Sequence, residues 1–169
     1  GPLNLAGVEV QPDFSVRATA TIKGEIADNA TLTDMVNVNN EGRCAITLDP
    51  KDRMPGQQAY QGVVPLFDDE GKPINVFSKV LQHYMLQSEQ LDTCLVLAAN
   101  DQLAAGLLIQ RLPMAGEGNL GAENANVANE DGIGKSEDYN RIATLAMSLK
   151  TEELLTLDTE SVLHRLFWD

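Results

Sequence analysis

Cysteine is nearly absent from this sequence: Cys44 and Cys94 stand far apart, with no Cys-x-x-Cys pair and no histidine at metal-ligand spacing. Such a pattern provides neither a zinc site nor a disulfide framework. It reads as two buried, reduced thiols of a reducing compartment. Histidine is as scarce. His83 and His164 are the only two, and no Gly-x-Ser-x-Gly or comparable nucleophile motif accompanies them, which argues against a hydrolase. Basic residues are few as well, 12 Lys and Arg against 25 Asp and Glu, and the resulting net charge of -13 repels phosphate backbones and anionic lipid. Nucleic acid and membrane surfaces are excluded as expected partners. No apolar run approaches the ~20 residues needed to cross a bilayer, and the longest, around Leu95 to Ala99, is strand-sized. An initiator Met is missing too. The chain opens Gly1-Pro2, so it is expected to be processed or a piece of something longer, and the lack of a signal peptide is uninformative.

What is present is a folding sequence of α+β class, long enough at 169 residues for one domain with a core and an appendage. From Phe14, alternation places Phe14, Val16, Ala18, Ala20 and Ile22 on one face and Ser15, Arg17, Thr19, Thr21 and Lys23 on the other, a half-buried strand. Leu3, Leu5, Val8 and Val10 form a preceding strand, joined through the turn Gln11-Pro12-Asp13 into an antiparallel hairpin. Thr31 caps a short helix to Val36, with Asp34 three residues on. Arg43 to Asp49, with Cys44, Ile46 and Leu48 inward, and Ala59 to Val64 add strands, so one sheet is expected to grow by adjacent hairpins.

After the acidic turn Asp68-Asp69-Glu70-Gly71 the period changes. Phe77, Val80, Leu81 and Tyr84 recur at three and four residues, and Pro73 suits a first helical turn. Cys94 to Ala98 and Leu103 to Leu112 read as strands around Asn100-Asp101-Gln102, apolar enough to be buried on both faces. Pro113 to Lys135 is Gly-, Asn-, Ala- and Glu-rich without a hydrophobic period and is expected to be a long flexible loop. Beyond it Ser136 is expected to cap a helix carrying Tyr139, Ile142, Leu145, Ala146 and Leu149 on one stripe. Two shorter amphipathic helices follow, near Thr151 and after Asp158.

Few constellations carry chemistry. Gly116-Glu117-Gly118-Asn119-Leu120-Gly121 is a literal Gly-x-Gly-x-x-Gly, but no convincing helix opens after it and Glu117 would set a negative charge beside a phosphate, so it reads as loop. Asp68, Asp69 and Glu70, like Glu130 and Asp131, lack calcium-loop spacing and read as solvated turns. No catalytic residue, cofactor site or metal site is assigned. The tail offers more: Leu145, Leu149, Leu154, Leu155, Leu157, Val162, Leu163, Leu166 and Phe167 place much apolar surface on helices too short to stand alone. They are expected to dock on the β-structure at rest, and on undocking to expose surface suited to unfolded chains.

Several segments resemble a known family. Gly1-Pro2-Leu3-Asn4-Leu5, Ile22-Lys23-Gly24-Glu25-Ile26, Tyr60-Gln61-Gly62-Val63-Val64, Ser88-Glu89-Gln90-Leu91 and Ala104-Ala105-Gly106-Leu107-Leu108 are similar in order and spacing to signatures of the redox-regulated holdase chaperones called heat shock protein 33, or 33 kDa chaperonin. Most specific is Lys150-Thr151-Glu152-Glu153-Leu154-Leu155-Thr156-Leu157. The resemblance implies an antiparallel β-sheet substrate domain with packed helices, followed by a helical linker. It implies 1–113 as a partial client-binding domain, 114–135 as the Gly/Asn-rich loop and 136–169 as the linker, with the nine tail residues above contacting clients. It also implies an ATP-independent chaperone of unfolding proteins, active as a homodimer, and a C-terminal zinc domain whose paired cysteines form disulfides under oxidative stress. Those pairs are absent here, as is the first part of the substrate domain, so the chain is expected to be a fragment without cofactor and without its zinc switch. Pro113 to Lys135 is longer than the family pattern. The competing readings are an acidic interaction module for folded partners and a small-molecule enzyme using the acidic loops or the glycine motif.

Overall fold

A computed structural model describes residues 1–111 and 129–168, the side chains of 129–137 excepted. The chain falls into two compact units, Gly1–Tyr84 and Met85–Asp169.

The first unit opens with β1 (Leu3–Val10) and β2 (Val16–Ile22), paired antiparallel with Val10 opposite Val16, Val8 opposite Ala18 and Ala6 opposite Ala20. Directly paired residues project to the same side. Ala6, Val8, Val10, Val16, Ala18 and Ala20 therefore form one apolar face, and Glu9, Arg17, Thr19 and Thr21 lie on the other. Two expectations change here. Phe14 belongs to the turn, with φ of 62° and 85% exposure, because reversing the chain between Gln11 and Ser15 requires a left-handed residue. The turn is held by Gln11 N–H donating to Ser15 O at 2.9 Å and by Ser15 N–H donating to Asp13 Oδ1 at 3.0 Å. Nor is β2 half-buried: every one of its residues is exposed. The alternation is real, but a two-stranded ribbon has no interior until another layer packs on it.

α1 (Leu32–Val36) starts as the sequence suggests. Thr31 N–H donates to Asp34 Oδ2 at 2.9 Å and Asp34 N–H returns to Thr31 Oγ1 at 3.3 Å, a reciprocal capping box in which Asp does the work of the usual Glu. At the other end Asn37 is 1% exposed. Its Nδ2 donates to Leu66 O at 3.2 Å and its Oδ1 accepts from Gly42 N–H at 2.9 Å, so one amide ties the end of α1 to the strands that follow. Position 42 must be glycine for this approach, since a Cβ there would lie 2.8 Å from Leu66 Cδ1 and 2.9 Å from Asn37 Oδ1.

β3 (Arg43–Leu48) and β4 (Tyr60–Pro65) pair antiparallel, with Cys44 opposite Val64 and Leu48 opposite Tyr60. Cys44 and Ile46 are half-buried and Val64 buried, whereas Leu48, at the open end of the hairpin, is exposed. Asp68 N–H donates to Lys72 O and Ile74 N–H to Leu66 O, which folds the acidic turn into a small hairpin. Pro73 is thereby held extended opposite Phe67, not in a helix, and α2 (Phe77–Glu89) begins after it. Val80 and Tyr84 of its expected stripe are buried. Phe77, in the first turn, stays 52% exposed.

In the second unit β5 (Thr93–Ala99) and β6 (Ala104–Gln110) form a third antiparallel pair. Asn100 Oδ1 closes their turn by accepting N–H bonds from Gln102 at 2.9 Å and Leu103 at 2.8 Å. α3 (Asn129–Met147), α4 (Thr151–Thr156) and α5 (Thr159–Phe167) follow. α3 runs through Ser136, which is therefore interior to the helix and does not cap it. The Gly116–Gly121 motif and the rest of 112–128 lie outside the described residues. Among the described residues the strands make three separate two-stranded sheets in place of one growing sheet.

Replacing Asn37 with Ala leaves the Gly42 N–H and the Leu66 carbonyl without their partner in a buried setting. The expected cost is about 2 kcal/mol of stability in the first unit, read as a lowered midpoint in chemical denaturation.

Candidate functional site

The helices of the second unit meet one face of the β5–β6 hairpin. Pairing sets Val96 opposite Leu107 and Ala98 opposite Ala105, so these four share a side. Over it lie Leu149, Leu154, Val162 and Leu166, which with Ala98 form one buried cluster, each between 5% and 9% exposed. Val96, Ala105, Leu107 and Leu155 pack against its border. The opposite face carries Leu97 and Leu108, 44% and 56% exposed, beside a buried Thr93 and a half-buried Leu95, so the expected burial is fuller on the helix-covered face and partial on the other. The covered face ties this hairpin to the helices that follow it within one compact unit.

The cover is built from short pieces. α4 has six residues and α5 nine, both below the ~12–15 at which an isolated helix becomes even marginal in water. Burial of each Leu or Val contributes roughly 1.5–3 kcal/mol, which makes the cluster the main force holding them down. α3 anchors the run: it packs on β5, its Ala146 is fully buried, and the Cys94 thiol donates weakly to Ala143 O at 3.7 Å. Ser148 to Lys150 then turn the chain. Lys150 N–H donates to Glu153 Oε2 at 2.9 Å, capping α4 from within, since a lysine side chain has no acceptor to offer. Asp158 caps α5, accepting from Ser161 N–H at 2.9 Å and Ser161 Oγ–H at 2.8 Å. Those bonds, the backbone one first, hold the Asp158 carboxyl below its ordinary value of 3.8. Glu153 Oε1 accepts from Arg165 Nε at 2.8 Å, joining α4 to α5.

The nine apolar residues expected to contact clients divide in two. Leu149, Leu154, Val162 and Leu166 are turned in and Leu155 is half-buried, while Leu145, Leu157, Leu163 and Phe167 are 36–44% exposed. Spacing four apart sends Val162 and Leu166 to the same side of α5, and their neighbours Leu163 and Phe167 outward. On the exposed side of α5, His164 stacks on Trp168 with ring centroids 5.8 Å apart. Sequence reasoning missed the floor, Val96, Ala98, Ala105 and Leu107, and the ion pair. The floor was detectable as alternation within two strands read as uniformly apolar. The pair links residues of different helices and has no local signature.

Other candidates are accounted for singly. Asp68 Oδ1 accepts from Glu70 and Lys72 N–H, an Asx turn. The side chains of Glu130 and Asp131 lie outside the described residues. His83 is half-buried. Among the described residues no group of three His, Cys, Asp or Glu could hold a metal ion, and no helix is long and apolar enough to cross a membrane. Both cysteines are free thiols. Cys94 is buried, Cys44 half-buried, and burial pushes the Cys44 thiol above its ordinary value.

Fold and site together define an α+β protein whose β-hairpin carries a cover of short amphipathic helices. The family model described as Hsp33 protein matches residues 1–169. The chain is 41% identical over 167 residues to the 33 kDa chaperonin of Chromobacterium violaceum, spanning 99% of this chain and 47% of that protein. It is 40% identical to the 33 kDa chaperonin of Neisseria gonorrhoeae, over 99% of this chain and 46% of that one. The crystal structure of the 33 kDa chaperonin (heat shock protein 33 homolog) from Thermotoga maritima superposes with a TM-score of 0.63 at 17% identity, covering 99% of this chain and 51% of that one. The chain belongs to the Hsp33 family and spans about half the length of the curated relatives it matches.

Two outcomes are expected of this geometry. Leu154→Ala should destabilise the docked cover by about 2–5 kcal/mol, whereas Leu163→Ala should change it by less than ~0.5 kcal/mol, as hydrogen exchange of the α4 and α5 amides will report. Because the Asp158 carboxyl titrates lower in the folded chain than unfolded, its capping contribution is full above about pH 4 and is lost as pH falls through the folded value. Asp158→Asn keeps a neutral acceptor, so amide exchange in α5 should lose that acid dependence.

Proposed function

We propose that this chain is the client-holding part of an ATP-independent chaperone, in which docked α4 and α5 hide an apolar surface that captures unfolding proteins once they lift. The observation that carries the reading is the contrast between the two sides of the cover: a buried cluster of Leu149, Leu154, Val162 and Leu166 on a β5–β6 floor, held by helices of six and nine residues. Surface of that kind, exposed together, is sticky and nonspecific. Elements with so little structure of their own are drawn from the low-stability end of a fold. Membership of a family whose relatives are named chaperonins supports it. The partners are unfolding polypeptides. The full-length protein, by the same reading, works as a cytoplasmic homodimer and takes its redox control from zinc-binding cysteines that this sequence does not contain. No catalytic step is assigned.

The test is suppression of the thermal aggregation of an unrelated client. Suppression should rise with apolar-dye binding as temperature loosens α4 and α5, and should not need ATP. Peroxide should leave it unchanged, because Cys94 is buried and the raised Cys44 value keeps thiolate, the reactive form, scarce. Absence of suppression at every temperature up to unfolding would overturn the reading, and a strong peroxide response would show that a switch resides in this chain after all.

A further inference from the structure

We propose that Glu153 is the clasp of this cover: by binding α5 and the start of α4 at once, it makes the two helices lift and return as one unit, and so sets how readily the floor is exposed. The inference concerns the regulation of the client-holding surface and rests on that reading. Glu153 has two separate tasks for its two carboxylate oxygens. Oε2 accepts the Lys150 N–H at 2.9 Å, at the point where the chain enters α4, and Oε1 accepts Arg165 Nε at 2.8 Å, in the last turn of α5. Its backbone carbonyl also accepts the Leu157 N–H at 2.9 Å, at the exit from α4. One residue thus holds both ends of α4 and the far end of α5.

The pair is partly sheltered, with side-chain exposures of 25% for Glu153 and 38% for Arg165, and it is a two-sequence-segment contact, not an i,i+4 pair within one helix. Burial in the shared cluster of Leu149, Leu154, Val162 and Leu166 holds both helices on the floor. The ion pair adds a direct link between the helices themselves, one that survives when they lift together and breaks when either leaves alone. The Asp49–Arg53 and Glu70–Lys72 ion pairs, by contrast, each lie within a few residues of chain and on exposed side chains, and couple nothing distant.

The experiment is residue-resolved hydrogen exchange on the full chain, with Glu153→Gln, Arg165→Gln and the double variant. A glutamine at 153 retains an oxygen for the Lys150 N–H, so the first two variants remove the same charge pair and spare the helix cap. Each should speed exchange in α5 by about two- to fivefold, with the double variant no faster than either single one. In the parent chain the slowest amides of α4 and α5 should share one opening rate, and in the variants they should separate. Client capture at a fixed temperature should rise in step. Additive effects, or unchanged exchange in α5, would overturn the clasp whatever the capture assay shows. Faster exchange without more capture would overturn its regulatory role. Failure of the parent chain to capture any client would instead sink the chaperone reading, while the exchange data still judge the clasp.

Discussion

The second unit depends on one act of burial, that of Leu149, Leu154, Val162 and Leu166 against the Ala98 side of the β5–β6 hairpin. Neither partner satisfies itself. The hairpin has two strands and two apolar faces, too little to be stable alone in water, and the helices are too short to persist without a surface. Each supplies the other's missing layer. Capping bonds and the ion pair act within this arrangement; lying at the surface and individually weak, they adjust an equilibrium that side-chain burial creates.

The first unit solves the same difficulty differently. Its order comes from local closure: the reciprocal Thr31–Asp34 box, the Asn37 amide between Leu66 and Gly42, the Asx bonds of Asp68. Side-chain burial is modest and confined to a few positions such as Val64, Leu66 and Val80, whereas β1 and β2 display a complete apolar face to solvent.

Much of this was legible in the sequence because it is local. Alternation located β1 and β2, the three-and-four spacing located α2, and Thr31 with Asp34 announced α1. The tail leucines were recognisable as a docking surface from their number on such short helices. What escaped is what depends on distance. Nothing in Phe14 itself says that it leaves the strand; the need to reverse the chain decides that. Pro73 looked fit for a helix until the turn at Asp68 held it extended. Period two inside Val96–Ala98 and Ala105–Leu107 was masked by apolar residues on the other face, and the meeting of Glu153 with Arg165 exists only after two helices have packed. The division of the nine leucine-type positions into inward and outward sets follows from helix phase on the floor, which spacing alone leaves undetermined.

The turn from Ser148 to Lys150 bears on the kinetics of all this. α3 is rooted on β5 through Ala146 and Cys94, so α4 and α5, lifting as proposed, would stay leashed by three residues to the surface they left. Return is then intramolecular, at an effective concentration on the order of millimolar. On the proposed reading, anything that settles on the bare hairpin competes with its own tethered lid at that concentration.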